Sequence, residues 1–478
     1  MQRNRHFKTI ISSLVVLTLL FSCKKKTSDE PIPNPPGNGS NPVSLNDSIF
    51  TITKDIYLWT DDLPDSAAFK PDSYSSPYDM FEALIKKKPL DRYSFIDDGS
   101  TSRALQEGIV GDKGFEVGWQ TDSTLFVIYV YAGSPADKKG IKRGWQLTNV
   151  NGTTKFVNGK TSNDLLTEAI YYNNSATFGF KKPDGTIVQP STLTSAEYKL
   201  NPILYSKLYD FNGTKIGYFV FNNFVALADV KTQVDSIFDS FAAAGAKQLI
   251  IDLRYNGGGL VETAEYLANR LVPASKNNTV MYTQTFNSNV SNNKFSPLFK
   301  NMKALPYFPN YYWADIFYSE ATTYKTANFA KQGGWEPTKV SFLVTYSTVS
   351  ASELLYNNLK PVMNTKLIGT TTYGKPVGFI DIPLGQNDLF AVSFQTKNSQ
   401  GQGDYFNGLT PEIKAEDDYS YDWGSFNDPL LKAALLDNGV PASSLGRMAR
   451  LTNETRLVTT SNNRLQSTRF KGMFHARR

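Results

Sequence analysis

Leu249-Ile250-Ile251-Asp252-Leu253-Arg254-Tyr255-Asn256-Gly257-Gly258-Gly259 is the stretch whose reading decides the fold. Three apolar residues form the heart of a short strand, and a glycine run stops it. Upstream, Ile216-Gly217-Tyr218-Phe219-Val220-Phe221 reads as another strand. Val230, Val234, Ile237, Phe238 and Phe241 then mark one face of a helix that stops near Gly245. Downstream, Leu260, Ala264, Leu267 and Leu271 give a second helical stripe. Strand, helix, strand, helix at these lengths predicts a layered βαβ core with its chemistry at the strand C-termini. A glycine run alone signals only a turn. Set between a strand and a helix, it is suited to offer backbone N–H groups to an anion.

Two further apolar runs lead into polar motifs. Phe342-Leu343-Val344 precedes Ser347-Thr348-Val349-Ser350-Ala351-Ser352-Glu353, and Leu367-Ile368-Gly369 precedes Tyr373-Gly374-Lys375-Pro376. The chain has 478 residues but only two histidines, His6 and His475, both near its ends. A hydrolase on this chain therefore lacks a plausible imidazole base. A buried lysine can take that place, because burial lowers its pKa until the amine is neutral. Ser350 and Lys375 are the candidate nucleophile and base. Taken singly, Ser350 reads as a helix N-cap and Lys375 as a solvent-facing loop lysine. Only the pair, with Gly258, lifts the catalytic reading above these.

The Asp-Leu-Arg-x-Asn-x-Gly-Gly segment, the Ser-Ala-Ser-Glu segment and a Gly-Lys about 25 residues on resemble the C-terminal processing peptidases, over about 111–435. These are tail-specific serine proteases with a Ser/Lys dyad and a PDZ domain. The resemblance implies a crotonase-like core, Ser350 as nucleophile and Lys375 as general base. It further implies an oxyanion hole from the N–H groups of Gly258 and Ala351. Ala351 opens a helix, whose positive end suits a developing oxyanion. One position departs from the family pattern. Where the family commonly carries a Gln that orients the lysine, this chain has Phe379, and Pro376 and Gly378 depart as well. An aromatic ring there favours neutral lysine by desolvation but offers no amide hydrogen bond. The same fold also serves as a non-catalytic peptide- or lipophile-binding protein, and that alternative stays open beside the peptidase. A metalloenzyme has little support, since there is no His-Glu-x-x-His and no His or Cys cluster; no metal or cofactor is expected.

Upstream of the core, Gly114-Phe115-Glu116-Val117-Gly118, Leu125–Val130, Gly133-Ser134-Pro135-Ala136-Asp137, Arg143-Gly144 and Val150-Asn151-Gly152 follow in an order that resembles a PDZ domain. The resemblance assigns Gly114, Phe115, Glu116 and Val117 to binding a peptide's C-terminal carboxylate, by β-augmentation and amide capture. Ile49, Ile52, Ile56 and Leu58, then Tyr78, Met80, Phe81 and Leu84, recur at helical spacing before Lys86-Lys87-Lys88-Pro89.

Both ends of the chain are basic. Arg3, Arg5 and Lys8 precede an apolar stretch from Ile10 to Phe21, the layout of a secretory signal and too short to span a bilayer. It ends in Leu20-Phe21-Ser22-Cys23, and Cys23 is the only cysteine. This resembles a lipoprotein box, in which Cys23 is lipidated, so no thiol is left for a disulfide, a thiolate nucleophile or a Cys metal site. The leader carries +3 and the segment from Arg447 carries +7, so the body must carry −4 to reach the total of +6. The basic tail is expected to be a solvated extension without a chemical role, and no nucleic-acid partner is expected.

The expected organisation is a multidomain α/β chain. It comprises a signal peptide (1–22), a lipidated Cys with a Pro/Gly-rich tether (23–44), an N-terminal helical domain (45–100) and a PDZ-like β-rich domain (103–190). A serine peptidase core (200–437) and a basic tail (445–478) follow. An aromatic-rich insertion at about 273–335 reads as either a lid or a subdomain core. Such a protein would be an exported lipoprotein, more readily of the outer membrane, acting on protein tails.

Overall fold

A computed structural model describes residues 44–445 and the backbone of Gly472–Phe474. The leader, Cys23, His6 and His475 lie outside the described residues, as does the tail apart from that short strand. Among the described residues no helix is long and apolar enough to cross a membrane.

The chain starts with helices α1 (Leu45–Ile56) and α2 (Pro77–Ile85), each begun by a serine whose hydroxyl accepts an N–H of the first turn. A β-rich unit follows. It holds strands β1 (Phe115–Thr121), β2 (Thr124–Val130) and β3 (Gln146–Val150), helix α3 (Lys160–Thr167), and strands β4 (Ser175–Lys181) and β5 (Ile187–Thr194). The five strands pair antiparallel in sequence order, which leaves β1 at an edge. This unit has its own core of Phe115, Val117, Trp119, Leu147, Phe178 and neighbours.

The rest of the chain builds β6 (Ile203–Phe211), β7 (Thr214–Phe221), α4 (Leu227–Ala243), β8 (Gln248–Asp252), β9 (Gly258–Leu260) and α5 (Val261–Leu271). Next come β10 (Val280–Thr285), β11 (Thr326–Asn328), β12 (Lys339–Val344), α6 (Ala351–Leu359), β13 (Thr365–Gly369), β14 (Val377–Phe379) and β15 (Phe394–Asn398). β16 (Ile413–Lys414), α7 (Pro429–Asp437) and β17 (Gly472–Phe474) complete the order. The central sheet runs β16-β13-β12-β8-β7-β6, parallel except for the edge strand β6.

Alternation along its strands sends residues to two apolar layers. Leu249 and Ile251 of β8 join Phe342 and Leu354 on one face. Ile250 joins Tyr218, Leu343 and Ile368 against Leu430, Leu431, Ala434 and Leu435 of α7 on the other. A sheet covered on both faces needs near-continuous apolar strands, which is what Leu249-Ile250-Ile251 and Phe342-Leu343-Val344 supply.

The helices at the N-terminal end form no separate core. A continuous apolar cluster runs from Ile49 and Met80 through Phe342 and Leu354 to Phe379 and Phe394. Nor does the 273–335 stretch form a detached lid. Its β10 pairs with β15 and β11 in a second sheet, and Ser296 donates to Asp55 of α1 at 2.6 Å. Trp313 is buried there, whereas Tyr307 and Tyr311 are exposed.

The second sheet holds a correction. Its order is β9-β17-β14-β15-β10-β11, so Gly472–Phe474 is inserted between Gly258–Leu260 and Val377–Phe379, parallel to both. For these three residues the expected solvated tail does not hold. Backbone hydrogen bonding to two strands overrides the basic, apolar-poor composition around them.

Candidate active site

Three neighbouring parallel strands, β8, β12 and β13, deliver the three motifs to one edge of the central sheet. The Asp252–Gly259 loop follows β8, Ser350 stands between β12 and α6, and Lys375 lies beyond β13. This edge is where open α/β sheets place their ligands. The loops are stitched to one another. Thr348 Oγ1 donates to the Leu253 carbonyl at 2.8 Å, Val349 N to that of Asn256 at 3.0 Å, and Ser352 Oγ to the same carbonyl at 3.1 Å.

Ser350 takes φ 62° and ψ −108°, a conformation that costs a non-glycine residue roughly 1–3 kcal/mol. The surrounding bonds hold it there, and strain of this kind gathers at reactive turns. Its side chain does not cap the helix. Ser350 Oγ is fully buried with no hydrogen-bond partner among the described residues, so no internal bond has to break before it can react. Ala351, the first residue of α6, has an N–H with no intrahelical acceptor.

Glu353, three residues on, organises both halves of the pair. Its Oε2 accepts the backbone N–H groups of Ser350 (2.7 Å) and Lys375 (2.9 Å). Its Oε1 accepts from Gly374 N at 2.7 Å and Thr372 Oγ1 at 2.5 Å. One carboxylate thus ties the Ser350 turn to the Lys375 loop. Burial pushes the Glu353 carboxyl up, and the four donors pull against it. Gly374 is required for this close approach. At φ 87° a Cβ would lie 2.4 Å from the Gly408 nitrogen.

Lys375 is fully buried, and that burial drives its amine well below the ordinary lysine range, against the opposing pull of Asp91 and Glu353. Desolvation thus favours the neutral amine, the form a general base would need. Nζ sits 3.6 Å from the Phe379 ring centroid and 5.5 Å from that of Tyr93. Phe379, also fully buried, packs edge-on to Phe95 and Phe390. The ring supplies apolar walls where the family places an amide. Tyr93 donates to the Gly374 carbonyl at 2.6 Å, and Arg92 Nη2 to that of Tyr373 at 2.7 Å. The segment after α2 thus braces the lysine loop.

Phe379→Ala would admit water to the amine and weaken its desolvation. A lost cation–π contact works the other way but is worth only about 1–2 kcal/mol, against burial shifts that reach about 3–5 pKa units. If Lys375 acts as a base, its reactive form is the neutral amine, present above its pKa. Raising that pKa moves the acidic limb of the pH–rate profile to higher pH. We expect that shift in Phe379→Ala and little shift in the volume-conserving Phe379→Met, read from serine-labelling rates against pH. An unmoved limb in both would show that the ring does not set the amine's protonation.

The expected oxyanion donors differ in state. Gly258 N donates to Asn256 Oδ1 at 2.9 Å, so in this conformation a side chain holds it. Asn256 is anchored in turn by Nδ2 to the Phe221 carbonyl at 2.9 Å. Just before it, Arg254 is bonded to Asp252, Asp417 and Asp428. Tyr255 accepts from Arg143 Nη1 at 2.7 Å, a direct tie from the β-rich unit to this loop.

Gly114, Phe115, Glu116 and Val117 are not brought to the Ser350 pair. They lie at the start of β1 in the separate sheet. Glu116 is braced internally, accepting from Tyr129 (2.8 Å) and Tyr171 (2.6 Å). Sequence reasoning missed the clamping role of Glu353 and the contacts of Arg92, Tyr93 and Arg143. Only Glu353 carried a local signal, as an acid in the third position of the helix after Ser350.

Two family models match the chain. One is the peptidase S41 N-terminal domain over residues 44–95, and the other is peptidase family S41 over residues 215–415. The carboxy-terminal processing protease CtpA of Bacillus subtilis is 28% identical over 335 residues, covering 68% of this chain and 61% of that protein. A carboxyl-terminal-processing protease of Picosynechococcus sp. is 26% identical over 276 residues, covering 56% of this chain and 55% of that one. The chain therefore spans less than two thirds of the length of these relatives. A candidate S41 protease structure from Bacteroides fragilis superposes with a TM-score of 0.63 at 21% identity, covering 82% of this chain and 97% of that one. That likeness is one of fold.

Proposed function

Given that the chain belongs to peptidase family S41, we propose that it is a serine endopeptidase that cuts protein substrates near their C-terminal ends. The observation that carries this reading is the Glu353 carboxylate, which holds the backbones of a strained, unbonded Ser350 and a desolvated Lys375 through one oxygen. Ser350 Oγ attacks the scissile carbonyl while Lys375 Nζ takes its proton. The Ala351 N–H stabilises the tetrahedral oxyanion, joined by Gly258 once Asn256 yields it. Collapse expels the new N-terminus, protonated by the lysine, and leaves an acyl-enzyme. The neutral amine then activates water for the second step.

The β-rich unit serves in this reading as a PDZ-like receptor for the substrate's tail, with Gly114–Val117 beside the bound strand. Its support is the edge position of β1 and the left-handed Gly114 (φ 79°) just before it. Cys23 provides a lipid anchor, and the protein faces the periplasm or the cell surface.

One observation favours the non-catalytic alternative, a peptide- or lipophile-binding protein. Phe379 occupies the place of the amine-orienting Gln. Reaction with a serine-directed fluorophosphonate, mapped by mass spectrometry, separates the two readings. The peptidase reading expects one adduct, on Ser350. No adduct on Ser350, either in wild type or with Gly472–Phe474 displaced from between β9 and β14, would leave the binding protein.

A further inference from the structure

The short strand β17 points to an occupant for the site. Its neighbours are the two segments that flank the reactive pair. β9 begins at Gly258, the expected oxyanion donor, and β14 ends at Phe379, whose ring contacts Lys375 Nζ. The register aligns Gly472 with Gly258, Met473 with both Gly259 and Gly378, and Phe474 with both Leu260 and Phe379. β9 and β14 do not pair with each other. Without β17 they would face across a gap one strand wide, each with unpaired backbone donors and acceptors. Such a gap takes any extended polypeptide, whatever its side chains. Ser350 and Lys375 are both fully buried, so an incoming polypeptide must displace something to reach them.

We infer that Gly472–Phe474 is an internal competitor of the protein substrate, occupying the strand-wide slot between β9 and β14 and holding the site closed until it is displaced. The inference rests on the serine-peptidase reading for its effect on reactivity, but not for binding. Recognition uses only backbone pairing, in one direction, parallel to Gly258–Leu260. A substrate that enters the same slot would take the same polarity.

The magnitude is adequate. Tethered segments act at effective concentrations on the order of 1 mM. A strand with an intrinsic dissociation constant of about 0.1 mM would then fill the slot about nine-tenths of the time, and releasing it would raise Ser350 reactivity about tenfold.

The test uses full-length chain with Met473→Pro, which removes the central N–H of the strand and leaves residues 44–445 untouched. Fluorophosphonate labelling of Ser350 should quicken about tenfold over wild type. A synthetic peptide of residues 466–478 added in trans should slow it again, and the same peptide carrying proline at position 473 should not. In parallel, binding of the fluorescent peptide to Ser350→Ala/Met473→Pro protein is read by anisotropy. Binding with no labelling in any variant would uphold the slot while the serine-peptidase reading falls. Equal labelling rates with no peptide binding would overturn the competitor and leave the peptidase reading standing.

Discussion

Ser350→Ala is expected to abolish hydrolysis of fluorescein-labelled casein, by about 10⁴-fold or more, without lowering the melting temperature. Lys375→Ala and the double variant should fall to the same floor. Residues that act as one unit in acyl transfer are grossly non-additive, so the second loss costs little once the first is made. Lys375→Arg separates a neutral base from a mere positive charge. A guanidinium keeps its proton at any working pH, so this variant should be as dead as alanine although it carries a positive charge with similar reach.

Lys375→Met should also be inactive but melt higher than wild type. Burying an amine costs free energy that a thioether of similar volume does not incur. In the peptidase reading, a strained Ser350 and a desolvated Lys375 are stability given up for reactivity. Activity retained by Lys375→Met, or a lower melting point, would remove the lysine from the role of base.

The parts of this arrangement visible in the sequence are those written in local periodicity. Val230, Val234, Phe238 and Phe241 form the buried face of α4. Leu249-Ile250-Ile251 is a strand buried on both faces. The Ser350 turn and the Lys375 loop could be placed because each lies a few residues beyond such an apolar run.

What stayed hidden depends on distance along the chain. Tyr93 reaches Gly374 across 281 residues, and Arg143 reaches Tyr255 across 112. No periodicity encodes such partners, because either end could satisfy itself with water. The stretch around Val280–Thr285 was read as an insertion since nothing in its own pattern names β15 as its partner. Gly472–Phe474 was invisible for a stronger reason: its pairing is backbone to backbone, and composition says nothing about which edge a strand will find.

Arg254→Met should destabilise the protein by about 3–5 kcal/mol, among the largest effects of any single side chain outside the reactive pair. Arg254 is fully buried, with Nη2 2.7 Å from Asp252, and Nη1 2.7 Å from Asp417 and 2.8 Å from Asp428. Arg143 adds a second guanidinium 3.4 Å from Asp417. Two cations thus face three carboxylates. Burial would raise Asp417, but Arg254 and Arg143 overrule it and hold it below the usual range. Burial keeps Asp428 raised despite the same Arg254.

For wild type, a folded pKa below the unfolded one means that Asp417 contributes stability above the unfolded value. That contribution is lost as pH falls through the folded value, so urea stability should change little on its account between pH 7 and 5. Without Arg254 the sign reverses. Asp428, already raised by burial, loses the guanidinium that opposed it and is pushed higher, so the folded state binds more protons and stability rises as pH falls from 7 to 5. Arg254→Met should therefore be weakest at neutral pH and partly rescued by acid. The damage should also reach the site, because Tyr255 and Asn256 follow directly and Asn256 positions Gly258. A variant with wild-type urea stability, or one that weakens further from pH 7 to 5, would show that these carboxylates do not depend on Arg254. Support for the Asn256–Gly259 loop would then come from Val349, Ser352 and the Phe221 carbonyl, all bonded to Asn256.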